Sequence, residues 1–317
     1  MSLRGGLDLG GTKVQAVVVG DGDDVVGSAR HPTPTSGGPD DVAATMAEAL
    51  AEAASHAGVA TADLAGVGVG SPGAVDAAAG TVAQAGNLPN WIEPFPLRDV
   101  LAERLGSEVR LGNDVQVATD AELALGAGRG SSSLLGVFWG TGVGGGIVID
   151  GKPLDAPSAG ELGHVVVRMG GRRCPCGRRG CLEAYAGRGA LERRARKLVA
   201  RGEHTQLFEI MEKRGRDRLS SGVWARALEA DDHLAQRLIG DAVEALGAGV
   251  ASAVNLLGVE VVVIGGGMGV RLGEPFARRI EAAMMPHLFA DDSPPAVRIA
   301  ALGDLGGAIG ASLLVTR

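Results

Sequence analysis

The chain has 317 residues, 45% of them hydrophobic, which is enough for two lobes of ordinary domain size and too apolar for wholesale disorder. A formal net charge of −7 argues against a broad nucleic-acid-binding face, and the basic run Arg193, Arg194, Arg196 and Lys197 reads as a solvated helix surface. No apolar run reaches the ~20 residues of a membrane span, and Met1 to Arg4 lead straight into a strand with no secretory leader, so a cytoplasmic protein with no membrane partner is expected.

Gly5 to Leu9 and Val14 to Val19 are short apolar runs separated by Gly10-Gly11-Thr12, the pattern of a β-hairpin with a glycine turn. Pro39 to Ala57 reads as a helix, because Val42, Met46, Leu50 and Ala54 recur at i+4 and Asp40 and Asp41 suit its first turn. Val67 to Gly70 is a short strand running into Ser71-Pro72-Gly73, and Leu97 to Leu105 a helix. Val109 to Leu111 is a strand that delivers Asn113 and Asp114 at its end, ahead of a helix from Val115 to Leu125. A second glycine hairpin follows, with a strand at Leu134 to Trp139, a turn at Gly140 to Gly146 and a return at Ile147 to Ile149. Its likeness to the first suggests two related lobes. Helices are expected at Gly187 to Ala200, Leu234 to Leu257, Pro275 to Leu288 and Leu305 to Leu314. Val259 to Ile264 reads as a strand buried on both faces and ends in Gly265-Gly266-Gly267. Strands alternating with helices give an α/β fold. The segment from Gly202 to Asp232 reads as a charged insert for which the sequence offers no functional account.

Asp8 precedes the turn Gly10-Gly11-Thr12-Lys13, where backbone N–H groups can cradle phosphate and the carboxylate can hold hydrated Mg²⁺. The spacing is not that of a P-loop, and a plain hairpin is an equally ordinary reading. The second turn, with Thr141 and Gly142, is denser in glycine than turning requires, and close backbone approach to a polyphosphate accounts for it. A Cβ branch at Gly142 is therefore expected to obstruct ATP. Gly265-Gly266-Gly267 is a third such element, and three together favour a nucleotide site. Asp114 at a strand end can accept a hydroxyl proton during attack on phosphorus; taken alone, Asn113-Asp114 also fits a helix cap.

The three cysteines all lie between Cys174 and Cys181, downstream of His164. Cys174, Cys176, Cys181 and His164 make a complete Cys₃His set for tetrahedral zinc, closed and therefore structural. A redox thiol cluster or an iron–sulfur centre are the competing readings, the first strained by Cys-x-Cys geometry and the second by the missing fourth cysteine. Glu161 and Glu183 flank the site and, with His164, suit sugar hydroxyls; Asn87 is a further polar candidate that also reads as a turn residue.

Together the stretches Asp8 to Lys13, Gly70 to Asp76, Asn87 to Trp91, Asn113-Asp114, Gly140 to Gly146, Glu161 to Val167, Cys174 to Gly187 and Val263 to Gly267 resemble the ROK family of sugar kinases, in the family's order and over nearly the whole chain. The resemblance implies an actin-like, hexokinase-type ATPase fold: a small α/β lobe of residues 1–113 plus 303–317, a large lobe of residues 114–302 carrying the zinc site, and a cleft between them. It implies ATP-dependent phosphorylation of a hexose at the 6-hydroxyl with Asp114 as base. Gly73, Asn87, Asn113, Glu161, His164 and Glu183 are then the sugar ligands, with His164 both ligating zinc and reaching the sugar. Gly11, Thr12, Lys13, Thr141, Gly142, Gly266 and Gly267 are the ATP contacts, and Asp8 holds Mg²⁺ through water. The implied cofactors are ATP, Mg²⁺ and structural Zn²⁺, and the implied assembly a homodimer or larger homo-oligomer. Arg188-Gly189 departs from the family pattern, where small or hydroxyl residues are expected.

Family repressors carry an N-terminal DNA-binding domain, whereas seven residues precede Asp8 here, so a repressor is not expected. A non-kinase ATPase of the same superfamily leaves Glu161, His164 and Glu183 without purpose. Glucose is the expected substrate, because that cluster suits bare hydroxyls at sugar positions 1 and 2; N-acetylmannosamine, N-acetylglucosamine and fructose, and polyphosphate as donor, are the alternatives.

Overall fold

The computed structural model describes residues 2–154, 156 and 159–316; Met1 and Arg317, which close the ranges expected for the small lobe, lie outside the described residues. The first glycine hairpin forms as β1 (Arg4–Leu9) and β2 (Lys13–Val19), antiparallel, with Leu9 opposite Val14. A strand that the sequence pattern did not suggest, β3 (Val25–Pro32), extends it; only Gly27 and Ala29 are buried in it, as befits an edge strand with little apolar signal. Then come α1 (Pro39–His56), which buries Val42, Met46, Leu50 and Ala54 as its spacing predicts, β4 (Val67–Ser71), the small pair β5 (Ala74–Asp76) and β6 (Thr81–Ala83), α2 (Leu97–Leu105), β7 (Val109–Asn113) and α3 (Asp114–Ala124). The sheet order is β3-β2-β1-β4-β7, and β1, β4 and β7 run parallel, so their carboxyl ends share one edge: Asp8 lies opposite Gly70, and Ser71 opposite Asn113.

The second glycine hairpin is β8 (Leu134–Trp139) and β9 (Val143–Ile149), continued by β10 (Lys152–Pro153). The turn is shorter than the sequence suggests: Gly144, Gly145 and Gly146 pair with Phe138, Val137 and Gly136 inside the sheet, which leaves Gly140-Thr141-Gly142 as the loop. Next come α4 (Glu183–Ala186), α5 (Arg188–Val199), α6 (Leu207–Lys213), α7 (Ser221–Glu229) and α8 (His233–Leu257). The segment read as an insert is core: Leu207, Met211, Leu219, Val223, Trp224 and Ala227 are buried in the main apolar cluster, and its charges are exposed apart from the part-buried Glu203 and the buried Asp232. β11 (Val261–Gly265) starts two residues later than expected, because the Glu260 carboxylate faces outward and accepts from the backbone N–H and hydroxyl of Ser132. α9 (Gly266–Leu272), α10 (Glu274–Met284) and β12 (Ala296–Ile299) follow; the glycines after β11 open a helix rather than a loop. The sheet runs β10-β9-β8-β11-β12, an antiparallel hairpin flanked by two parallel strands, which is the topology of the first sheet repeated.

The chain closes with α11 (Gly306–Leu313), which packs on β1, β4 and α3. Gly6 and Gly68 make this possible: a Cβ on either would strike the carbonyl of Ala308 or Ala311, so the helix lies against the sheet at backbone contact. The two compact units are Met1–Arg129 with Ala301–Arg317, and Gly130–Ala300. The expected boundary after Asn113 would separate α3 from the partners it packs against. Glu122 on α3, 2% exposed, accepts from the N–H groups of Ala127 at 2.8 Å, Ala301 at 3.0 Å and Leu302 at 2.9 Å, which fastens α3 to the segment leading into α11. Among the described residues no helix is long and apolar enough to cross a membrane.

Candidate active site

The expected site residues fall into two groups, one in each unit. In the first unit, β1 places Asp8 one residue before its end and β7 hands directly to Asp114. Asp8 is half-buried, and that burial, then the carboxylate of Asp114, push it up to about 7 against the opposing pull of Lys13. Two carboxylates held this close create a negative potential that a divalent cation relieves, so the donor set fits hydrated Mg²⁺. Lys13 Nζ lies 3.5 Å from the Asp304 carboxylate, a residue that the sequence reading missed. Gly307 was missed too: a Cβ there would come within 2.7 Å of the Asp8 carboxyl carbon. Its signal was the Gly306-Gly307 pair at the start of the last helix.

Asn113 is the N-cap of α3, its Oδ1 accepting from the N–H groups of Val115 and Gln116, each at 3.1 Å. Asp114 also accepts from Val115, at 2.9 Å. The cap reading of this dipeptide is therefore correct as geometry, and it fixes where the Asp114 carboxylate sits. Asn87, Gly11, Thr12 and Gly73 are exposed. Asn87 lies against the first turn, with its Nδ2 3.0 Å from where a Cβ of Gly11 would be. Trp91, 1% exposed, holds this loop down by donating to Val82 O at 2.9 Å. Gly73 adopts φ +91°, and a Cβ there would meet Ala83 O at 2.5 Å.

In the second unit the Gly140–Gly142 turn is laced to the segment after the cysteine loop. Trp139 Nε1 donates to Ala186 O at 2.7 Å, Arg188 N–H to Gly140 O at 3.1 Å and Gly189 N–H to Thr141 O at 3.0 Å. Glu183 Oε2 accepts from Val143 N–H at 3.1 Å, and it occupies the space a Gly142 side chain would need. The missing Cβ of Gly142 thus faces Glu183, a neighbour that the expectation about ATP did not include. Gly266, at φ +77°, is required by packing, since a Cβ would meet Trp139 O at 2.5 Å, whereas Gly267 is exposed with open space around it.

Glu161 and His164 are brought together by a short turn, Nε2 of the imidazole lying 3.8 Å from Glu161 Oε2. The other ring nitrogen, Nδ1, is 3.9 Å from Cys174 Sγ. One histidine therefore presents one nitrogen to the thiols and the other to a carboxylate beside which a ligand can lie. Glu183 accepts from Val143 at the start of β9, beside the turn, and among the described residues makes no hydrogen bond with this pair. His164, Cys174, Cys176 and Cys181 offer donors that all lie within 4.8 Å of one another, and Cys176 Sγ is 3.7 Å from Cys181 Sγ. A tetrahedron of ~2.3 Å zinc–sulfur bonds has an edge of about 3.8 Å, so the set fits zinc. The Arg178 backbone N–H draws the Cys176 thiol down to about 7, which supplies a ready thiolate, while burial pushes Cys181 up. Tyr185 steadies the loop, its hydroxyl accepting from Arg172 N–H at 3.0 Å with the Arg172 guanidinium 4.5 Å over its ring.

The sequence profile of the ROK family matches residues 4–317. The chain belongs to the ROK family. A glucokinase from Halalkalibacterium halodurans is 34% identical over 316 residues, covering 98% of this chain and 94% of its own length. An N-acetylgalactosamine kinase from a Shewanella species is 32% identical, covering 98% of this chain and 95% of its own. The crystal structure of a ROK family glucokinase from Streptomyces griseus, in complex with glucose and AMPPNP, matches with a TM-score of 0.84 at 30% identity over 99% of each chain. The two repeated α/β units of this ROK protein are those of the actin-like ATPase fold.

Proposed function

We propose that this chain is an ATP-dependent hexose kinase that phosphorylates glucose at its 6-hydroxyl. The observation that carries the reading is the pair of carboxylates at the carboxyl ends of parallel strands, Asp8 one residue before the end of β1 and Asp114 following β7, in a chain alike from end to end to a glucokinase. Asp114 accepts the proton of the 6-hydroxyl as that oxygen attacks the γ-phosphorus; the bond from phosphorus to the bridging oxygen breaks, and ADP departs with the electron pair. Asp8 holds hydrated Mg²⁺, which neutralises charge on the phosphates when bound. Thr141 and the N–H groups of its turn, with Gly11, Thr12, Lys13 and Gly267, contact the nucleotide. Asn87, Asn113, Glu161, His164, Glu183 and the Gly73 backbone hold sugar hydroxyls. His164, Cys174, Cys176 and Cys181 would hold a structural zinc, and with its Nδ1 turned to the thiols the His164 ring keeps Nε2 for the sugar. A nucleotide-dependent enzyme with three free thiols belongs in the reducing cytoplasm.

A coupled ADP-release assay with glucose, mannose, fructose, N-acetylglucosamine, N-acetylmannosamine and N-acetylgalactosamine tests this. Glucose should give the highest kcat/KM. Preference for an N-acetylated sugar overturns the substrate and leaves the kinase; no sugar-dependent ADP release overturns the kinase.

A further inference from the structure

Arg188 opens α5, and the sequence alone left it without a role. Its Nη2 donates to Thr141 Oγ1 at 2.7 Å, and its own N–H donates to Gly140 O at 3.1 Å. A guanidinium has five N–H donors, and among the described residues Thr141 is the side-chain partner of this one. Among the described residues no carboxylate forms an ion pair with it. Glu192, the acid whose field reaches it, is engaged elsewhere: Oε1 accepts from Arg196 at 2.7 Å and Oε2 from Leu219 N–H at 3.0 Å. Arg218 adds a second positive charge in the vicinity, and burial lowers the Arg188 pKa. A half-buried cation whose neighbouring acid is committed to other partners is costly, and in a chain of net charge −7 it marks a local site for an anion. Thr141 points the same way. Its hydroxyl is exposed and accepts from Arg188, so its hydrogen is free to donate to a ligand oxygen.

We propose that Arg188 is a donor-binding residue, contacting the polyphosphate chain of ATP beside the Thr141 hydroxyl, which it orients toward the same phosphate oxygens. The proposal rests on the reading of the Gly140–Gly142 turn as a phosphate site. The planar fork suits bidentate contact with phosphate, and its tie to Thr141 means the arginine is held in place before the nucleotide arrives.

The test uses the zinc-loaded enzyme and its best hexose. Arg188→Ala should raise KM for ATP about ten- to a hundredfold, the weight of one or two charge-assisted hydrogen bonds, and leave the sugar KM within about twofold. Inorganic tripolyphosphate, as a competitive inhibitor against ATP, should weaken by the same factor, while adenosine should not weaken. Arg188→Lys should recover part of the affinity, and millimolar guanidinium should partly rescue Arg188→Ala. Unchanged ATP KM and tripolyphosphate inhibition in Arg188→Ala would overturn the proposal, as would a sugar KM rising in step with that for ATP, which marks a residue that merely shapes the turn. Thr141→Val separates the two levels. If it raises ATP KM and Arg188→Ala does not, Arg188 alone is misassigned; if neither does, the phosphate reading of the turn is wrong as well.

Discussion

Replacing Asp8 with asparagine should make the nucleotide-free protein more stable above neutral pH while abolishing most of its activity. The Asp8 carboxyl stands at about 7 in the folded chain and at 3.8 in a model peptide, because it is partly buried beside Asp114. A carboxyl raised on folding binds its proton more tightly in the folded state. Stability is therefore full below about pH 4, falls as pH rises, and has lost the whole increment once pH has passed 7. At 1.36 kcal/mol per unit, the difference of about 3 units sets a ceiling near 4 kcal/mol at pH 8, against roughly 1.7 kcal/mol at pH 5. Asparagine keeps the shape and carries no charge, so the variant escapes this loss. For a unit of this size one kcal/mol moves Tm by about 2–4 °C. In thermal melts of the zinc-loaded protein without Mg²⁺ or nucleotide, the Tm advantage of Asp8→Asn should widen by several degrees between pH 5 and pH 8. Melting curves that run parallel across that range would refute the account of a strained carboxylate pair.

Asp114→Asn should retain sugar binding and lower kcat by about 10²–10⁴-fold, since the amide keeps the cap to Val115 but cannot accept the proton; near-normal kcat would reduce Asp114 to a helix cap. Metal analysis should find about one zinc per chain, and Cys176→Ser should lose zinc and activity together; full activity in zinc-free protein would break that link. Gly142→Val should raise the KM for sugar as well as for ATP, because its side chain displaces Glu183, and an effect confined to ATP would show that Glu183 does not touch sugar. Glu122→Ala should destabilise the protein by ~2–3 kcal/mol, read by denaturant melts, because three backbone N–H groups lose their acceptor.

What was legible in the sequence was whatever carried period or punctuation. The i+4 apolar rows of α1 and α8, the first glycine hairpin and the Cys₃His set all appear where the residues put them, and the second hairpin forms with a shorter turn than its glycines suggested. β3 and β12 escaped because edge strands need bury little, and half-exposed Val25-Val26 and Ala296–Ile299 look like loop. α6 and α7 escaped because seven- and nine-residue helices show a charged outer face and too few turns for their apolar stripe to stand out. In the site, residues with a chemical motif were found, and those acting through position were not. Asp304 is an isolated surface acid in sequence, and it meets Lys13 only because α11 folds back on β1 and β2. Gly142 was found and half understood: a glycine advertises that a side chain is excluded without saying by what.

The short stretch from Glu183 to Arg188 explains why the sugar and nucleotide assignments are physically joined. α4 spans four residues, so the carboxylate at its start and the guanidinium just after its end are held at a fixed separation, and both reach the same three-residue turn. Glu183 takes the N–H of Val143 and fills the space over Gly142, and Arg188 takes the hydroxyl of Thr141. Trp139, fully buried, closes the arrangement by donating to Ala186 between them. On the proposed roles, a shift of the turn on meeting phosphate moves Glu183, and a shift of Glu183 on meeting a hydroxyl moves Thr141. The coupling is reciprocal for binding free energies, so whatever factor the sugar adds to ATP affinity, ATP adds to sugar affinity. Cutting the link with Glu183→Gln, which weakens the bond to Val143 without emptying the space over Gly142, should bring the two dissociation constants closer to independence. Binding of a non-hydrolysable ATP analogue, measured by calorimetry with and without saturating glucose, reads this directly; a coupling factor unchanged from wild type would mean that sugar and nucleotide communicate by another route.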